Sequence, residues 1–445
     1  MPNQRITLIL SDLHVGGGMT DPGDDHIYDR NQLVEFLRTC AISPEGQAGR
    51  YELFFNGDFL EFAQTDVSAF TLVDEDAWCT EAESLHKLDT IIAGHPEIFA
   101  ALSDFQASGN LVTIAAGNHD VDLYWPAVQQ RLRQHAGTAL GFELGKEWVE
   151  RYDGKLHIGH GHMRDVANRF KNWAKPMAAP RFPPRLEMCP GTLFMVKFVN
   201  HLEAKFPFAD NLLPVTKLVE VLGRDDKSGF MAVSWAFTRF IATTSVSVLG
   251  IGDKDYGERL LAKFRQEPAQ FEALQRALET HGKTRIGGEE GAAGVTPDAL
   301  AEHMFFLLGR LDDAAWGRLF ELGHGGAVLG GSGVTLSAIG QANLFDGKET
   351  LREAARRRVQ DFGAHVVVMG HTHQPDELEI DDSKYYNPGS WTRYWQLERT
   401  PKLTLADLTD ESNYPYELNV VRVEQVDGVL KSSMNNIERW EPHKA

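Results

Sequence analysis

Five short apolar runs recur along this chain, at residues 6–10, 53–55, 111–116, 156–158 and 366–369. Each is rich in β-branched or aromatic residues and is bounded by Gly, Asp or Asn, the pattern of strands buried on both faces. Stretches with helical spacing separate the early runs, at 31–39, 81–106 and 124–135. The alternation predicts βαβ units and therefore an α/β fold with parallel strands. A further helix is expected at 346–361, just before the fifth run, and residues 403–405 and 416–423 read as strands that complete a second sheet.

Polar residues follow the apolar runs at once. They are Asp12-Leu13-His14, Gly57-Asp58, Gly117-Asn118-His119-Asp120, His160-Gly161-His162 and Gly370-His371-Thr372-His373. Asp12 and His14 are two apart, as are His371 and His373, and extended backbone points residues i and i+2 to the same side. His160 and His162 satisfy the same spacing. The donors are imidazole, carboxylate and one amide oxygen, with no thiolate, which suits divalent manganese, iron or zinc rather than a soft-metal site. The glycines before Asp58, Asn118 and His371 permit close approach of backbone and ligand at sharp turns.

Length changes the picture. At 445 residues the chain exceeds one ordinary domain, so two units are expected. The long gap between His162 and Gly370 marks the second unit: a core of 1–162 and 356–445, interrupted by an insertion at 163–355. Within the insertion Leu300, Met304, Leu307, Leu308, Leu311, Leu319 and Phe320 follow Thr296-Pro297 at helical spacing, which predicts a mostly helical cap. The Gly-rich pieces 287–294 and 323–333 read as connections, and Gly282-Lys283-Thr284 lacks the upstream glycine of a P-loop. Residues 230–252 and 191–208 are apolar; Arg239 at the centre of the first makes a buried helix the expected reading over a transmembrane one. A peripheral membrane contact is the competing expectation.

Charge and cysteine usage narrow the partners and compartment. With 63 acidic and 44 basic residues the net charge is −19, which repels polyanions and argues against an extended nucleic-acid partner. Cys40, Cys79 and Cys189 form no CxxC pair and no even framework. The first strand begins at Ile6, leaving no room for a signal peptide, so a cytoplasmic location is expected. The remaining histidines, such as His26, His86, His95, His201 and His303, have no companion ligand in sequence and read as structural.

In this order, and with the intact tetrapeptides Gly-Asn-His-Asp and Gly-His-Thr-His, these motifs resemble the calcineurin-like metallophosphoesterase superfamily over roughly residues 5–162 and 362–425. The resemblance implies a four-layered αββα sandwich with two divalent metal ions, manganese being the first expectation. Asp12, His14, Asp58 and His373 would hold one ion, and Asp58, Asn118, His160 and His371 the other, with Asp58 bridging. It is the family's His-Gly pattern that favours His160 over His162. His119 would contact the phosphoryl group and assist the leaving oxygen, its ring oriented by Glu61 or Asp120. A metal-bridging hydroxide would be the nucleophile. The Asn387-Pro388-Gly389-Ser390-Trp391 turn also resembles this superfamily, and Trp391 is expected beneath the site.

Residues 164–185 hold Arg164, Arg169, Lys171, Lys175, Arg181 and Arg185 against one acid, Asp165, interleaved with Phe170, Trp173 and Phe182. Arg164, Arg169 and Lys171 are the candidate contacts to a phosphorylated substrate; the alternative is a solvated loop stiffened by prolines. The leading functional expectation is hydrolysis of a phosphoester or pyrophosphate bond in a small or lipid-linked compound. The His160-Gly161-His162-x-x-Asp165 stretch and the cap look most like bacterial phosphohydrolases akin to UDP-diacylglucosamine pyrophosphatase. A nucleic-acid or cyclic-nucleotide phosphodiesterase is the alternative, and a non-catalytic scaffold is disfavoured because every ligand position is filled.

Overall fold

In the computed structural model, residues 5–18, 30–65, 79–165, 168–178, 182–196, 347–393, 404–410, 413–414 and 417–437 are described, together with Asn200, Asn211 and Val221. The chain divides into two compact units. One comprises Met1–Asn211, Asp346–Pro401 and Asp410–Ala445; the other comprises Leu212–Phe345 and Lys402–Thr409. The apolar stretch 230–252 and the predicted helix at 297–322 lie outside the described residues, as does most of the expected cap.

The first unit is built on two mixed sheets. Strands β1 (Ile6–Leu10), β2 (Tyr51–Asn56), β3 (Leu111–Ala115) and β4 (Gly141–Glu143) run parallel and adjacent. The second sheet brings in β5 (Val149–Arg151), β6 (Leu156–Ile158), β7 (Val366–Val368), β8 (Asp376–Ile380) and β9 (Ser383–Asn387), ordered β5-β6-β7-β9-β8 with β6, β7 and β9 parallel. β10 (Asn419–Val426) and β11 (Val429–Asn436) return antiparallel on the β1 edge of the first sheet, so the strand expected at 416–423 extends that sheet rather than completing the second. The helices are α1 (Arg30–Ile42), α2 (Pro44–Gln47), α3 (Glu81–Gly94), α4 (Pro96–Ala107), α5 (Pro126–Ala136), α6 (Pro190–Phe194) and α7 (Lys348–Phe362).

Strand alternation sorts the core into layers, because successive side chains point to opposite faces. Ile6, Leu8 and Leu10 of β1 join Leu53 and Phe55 of β2 in a cluster with Leu33, Leu37, Leu88, Ile91, Phe99 and Leu102 from α1, α3 and α4. Ile9 and Phe54 point the other way and meet Leu156, Ile158, Val366 and Val368 of the second sheet. Val367, between the last two, packs outward on Leu351, Ala354 and Ala355 of α7. The result is an α/β sandwich: two sheets face to face, with helices outside each. Each fully buried Leu, Ile or Phe side chain contributes about 1.5–3 kcal/mol, so strand and helix faces stabilise one another.

Most of the sequence expectations hold, with informative differences. The strands at 6–10 and 156–158 match residue for residue. The single helix expected at 81–106 is two, because Pro96 cannot donate into a continuing helix; α3 ends at Gly94 and α4 starts with Pro96 at its first position. Thr80 starts α3 with a reciprocal capping box to Glu83. Of the strand expected at 403–405, Leu403 lies outside the described residues, and Thr404 and Leu405 are not in a strand. Leu405 lies in a turn that leads into a single 3₁₀ turn at Asp407–Thr409, held by Thr404 N–H and Oγ1 donating to Asp407 Oδ2 at 2.8 and 2.6 Å. Among the described residues, no helix is long and apolar enough to cross a membrane.

Candidate metal centre

Every candidate ligand sits just beyond the C-terminal end of a parallel strand: Asp12 and His14 after β1, Asp58 after β2, Asn118 after β3, His160 after β6, and His371 and His373 after β7. The carboxyl ends of parallel strands are where open α/β sheets form their ligand crevices. Here strands of both sheets aim at one place.

The backbone is held in unusual conformations to do this. Asp12, His14, Asp58, His371 and His373 have φ of 55°, 47°, 49°, 73° and 57°, in the left-handed region that L residues avoid. Outliers of this kind cluster at functional sites, where surrounding structure over-determines them. Two glycines show how little room remains. A Cβ on Gly117 would stand 2.2 Å from Asp58 Oδ1, and one on Gly370 would stand 1.9 Å from Ser11 Oγ and 2.6 Å from Asp12 Oδ2.

Among the described residues, candidate ligand atoms form three groups, in each of which they lie within 4.8 Å of one another: Asp12, His14 and His373; Asp58, His160 and His371; and His14, Glu61 and His119. In the first, His14 Nε2 and His373 Nε2 face each other at 3.0 Å, and His373 Nε2 is 3.5 Å from Asp12 Oδ1. Asp58 joins this group to the second. Its Oδ2 lies 3.0 Å from His160 Nε2 and 4.0 Å from His14 Nε2. The third group has a different character, because Glu61 takes the Nδ1 side of both imidazoles: Oε2 accepts from His14 at 2.6 Å and from His119 at 2.8 Å. With Nδ1 donating to Glu61, His14 presents Nε2 as a lone pair to the first group.

Asp12, Asp58, Glu61 and Asp120 are all buried together, and their protonation follows from their neighbours. Burial works to raise Asp58, but His160, His119 and His14 together hold it well below the ordinary carboxylate range. Burial likewise opposes ionisation of Glu61, and the two imidazoles it accepts from overcome that and keep it ionised. For Asp12 burial prevails, reinforced by Asp58, and the group is raised. Burial and then Asp58 push Asp120 up to about 7. Although burial disfavours their charge, His160 is lifted to about 9, by Asp58 first and then Asp12, and His119 to about 10, by Glu61 first and then Asp58. His373 is pushed well below its usual value, by burial first and then by His14.

The structure separates residues that spacing leaves equivalent. His160 donates through Nδ1 to the Asn56 carbonyl at 2.8 Å and turns Nε2 to Asp58. His162 packs instead against Trp173, with ring centroids 4.4 Å apart, and neither of its buried ring nitrogens has a hydrogen-bond partner among the described residues. Burial, then the charges of His160 and His371, hold it neutral. Glu61 is the carboxylate bonded to His119, whereas Asp120 accepts from the backbone N–H groups of Gly117 and Phe59 and so ties the β3 loop to the β2 loop. Trp391 is fully buried; its backbone N–H donates to the Asp12 carbonyl at 3.1 Å, so the 387–392 turn clasps the first candidate ligand.

Arg164, Arg169 and Lys171 are exposed, and Arg164 pairs with Glu147. Within the basic strip, Phe170 and Trp173 turn inward to the core and Arg185 is buried near Glu83 at 3.4 Å. Spacing along the sequence therefore groups side chains that the fold sends in opposite directions. Sequence reasoning also passed over Ser11, which donates to Asp12 Oδ2, and Asn168, to which Asn118 Nδ2 donates at 3.3 Å.

The residues fit a cation. Asn118 Oδ1 is buried with no hydrogen-bond partner, and the nitrogen and carboxylate donors around Asp58 are those of a borderline-hard divalent ion. Compared with protein-family models and with curated protein sequences, the chain matches none.

Protonation makes one expectation measurable. His160 is held protonated up to about pH 9, and a ligating imidazole must give up the proton on Nε2. Manganese binding at pH 7.5 is therefore expected to release about one proton, falling to none above about pH 10, with affinity for one ion rising as pH rises toward 9. Calorimetry in buffers of different ionisation enthalpy measures this directly; proton uptake, or affinity falling with rising pH, would contradict it.

Proposed function

We propose that this chain is a metal-dependent phosphoesterase of the calcineurin-like metallophosphoesterase superfamily, acting on a phosphoester or pyrophosphate bond. The observation that carries the reading is the convergence of candidate ligands from five strand ends, Asp58 among them, beside a histidine, His119, whose Nδ1 donates to Glu61. Asp12, His14, Asp58 and His373 would hold one ion, and Asp58, Asn118, His160 and His371 a second.

Bound there, divalent ions, with manganese the first choice, supply an activated water and draw charge from the phosphoryl oxygens. The protein's own groups do the rest. Asp58 serves both ligand groups and neutralises part of their charge. Glu61 fixes the tautomer of His119 and keeps its ring protonated, so the imidazolium is the acid available to a departing oxygen. No serine or cysteine nucleophile is needed: Cys79 is pushed up to about 11 and Cys189 to about 12, chiefly by burial, so both are inert thiols.

The acidic balance of the chain favours a small or lipid-linked phosphate compound over a polyanion. The test is a panel of bis-p-nitrophenyl phosphate, a cyclic nucleotide, a nucleotide-linked lipid and single-stranded DNA, assayed after chelation and after return of Mn²⁺. Hydrolysis lost on chelation and restored by Mn²⁺, strongest on the nucleotide-linked lipid, is the expected result. Equal activity in the chelated protein, or none on any substrate with the metal bound, would overturn the proposal.

A further inference from the structure

A chain of hydrogen bonds joins two of the candidate ligands from outside the metal groups. His371 Nε2 lies 3.1 Å from Asp165 Oδ2, and Asn168 Nδ2 donates to the same oxygen at 2.8 Å. Asn168 Oδ1 in turn accepts from Asn118 Nδ2 at 3.3 Å and from Cys189 Sγ at 3.7 Å. Asp165 belongs to none of the three ligand groups among the described residues.

The direction of every link follows from its first member. An ionised carboxylate accepts and cannot donate. His371 must therefore donate from Nε2, which leaves the lone pair on Nδ1. Asn168 must turn its NH₂ to Asp165, so its carbonyl faces Asn118. Asn118 must then spend its NH₂ on Asn168, and its Oδ1 is left buried with no protein partner. An amide presented the other way round would offer two N–H groups to a cation and repel it.

We propose that Asp165 and Asn168 are positioning residues that set the donor–acceptor polarity of Asn118 and His371, so that both present lone pairs to the same ion. This rests on the metal-centre reading above and adds to it the device that makes the amide a ligand. Neither residue touches the ion; both act through the ligands they hold, as outer partners of metal ligands commonly do.

The test is Mn²⁺ binding by calorimetry and electron paramagnetic resonance, which counts ions and reports affinity without reference to turnover. Asp165→Asn removes the acceptor-only origin, so both amides can flip together. One ion is expected to bind about 10–100-fold more weakly while the other changes by less than about twofold. The diagnostic variant is the exchange Asp165→Asn with Asn168→Asp. There the amide at position 165 accepts from His371 and donates to the carboxylate at position 168, which accepts from Asn118, so net charge and both ligand polarities are kept. Recovery of the second ion to within about threefold of wild type supports the relay.

Unchanged binding in Asp165→Asn, or an exchange variant no better than that single substitution, overturns it; the latter would mark Asp165 as a direct ligand or a packing residue. Wild-type protein that binds no Mn²⁺ overturns the metal-centre reading and the relay with it. If the single variant fails to fold, the exchange variant decides alone: two ions bound supports the relay, and one ion overturns it.

Discussion

Asp58→Asn is expected to reduce hydrolysis to background and to lower occupancy of both ions at once. The carboxylate lies 3.0 Å from His160 Nε2 and 4.0 Å from His14 Nε2, so one side chain serves both ligand groups. An amide is nearly isosteric but carries no charge, and the loss of several kcal/mol of transition-state stabilisation corresponds to a fall on the order of a thousandfold or more. His160, His119 and His14 hold Asp58 ionised in the metal-free protein, so removing its charge should also lower the melting temperature, and the melt shows whether the variant is still folded where activity is measured. Metal analysis by plasma mass spectrometry, with a thermal melt, checks the pair of expectations; two ions retained with activity near wild type would refute the role.

His119→Ala is expected to slow turnover by about 10²–10⁴-fold while both ions stay bound. The imidazole donates to Glu61 and its backbone N–H donates to Asp58 Oδ1 at 2.9 Å, so its ring is held beside the centre without joining the Asp58 group. Its charge is worth most where the leaving oxygen is basic. The penalty should therefore shrink for p-nitrophenyl esters, whose leaving group needs no proton, and grow for an alkyl ester. In metal-free protein the ring titrates at about 10, and cations nearby will lower that value. Wild-type activity should thus fall on the alkaline side with an apparent pKa below about 10, a limb that the variant lacks. Metal content that collapses in His119→Ala would instead make His119 a ligand.

The candidate ligand positions were legible in the sequence because buried parallel strands are nearly continuous apolar runs and the chain turns sharply where they end. The run at 156–158 and His160 after it are one example; the run at 366–369 and the paired His371 and His373 are another. The outer strands were harder. β8, with Asp376, Glu377 and Glu379, and β11, with Lys431, Ser432, Ser433, Asn435 and Asn436, lie at sheet edges where polar residues are tolerated, so no apolar run announces them. The break at Pro96 was readable from the proline alone, whereas the apolar and β-branched content of residues 403–405 outweighed the local bond from Thr404 to Asp407.

Within the site, residue types were readable and directions were not. Asp120 adjoins His119 in the sequence and Glu61 lies 58 residues before it, yet tertiary geometry sends Glu61 to the imidazole and Asp120 to the Gly117 and Phe59 amides. The left-handed backbone at Asp12, His14, Asp58, His371 and His373 leaves no mark in sequence either, because residues with a side chain occupy it. Asp165 stood out as the end of the His160-Gly161-His162-x-x-Asp165 stretch and as a lone acid among basic residues; its bonds to His371 and Asn168 depend on which atom faces which.

The central claim is that Asp58 joins two cation sites. Crystals grown with Mn²⁺ and measured near the manganese absorption edge test it most directly. The account predicts two anomalous peaks, one among Asp12, His14 and His373 and one among Asn118, His160 and His371, with the Asp58 carboxylate contacting both. A single peak, or two peaks that share no contact with Asp58, would contradict it.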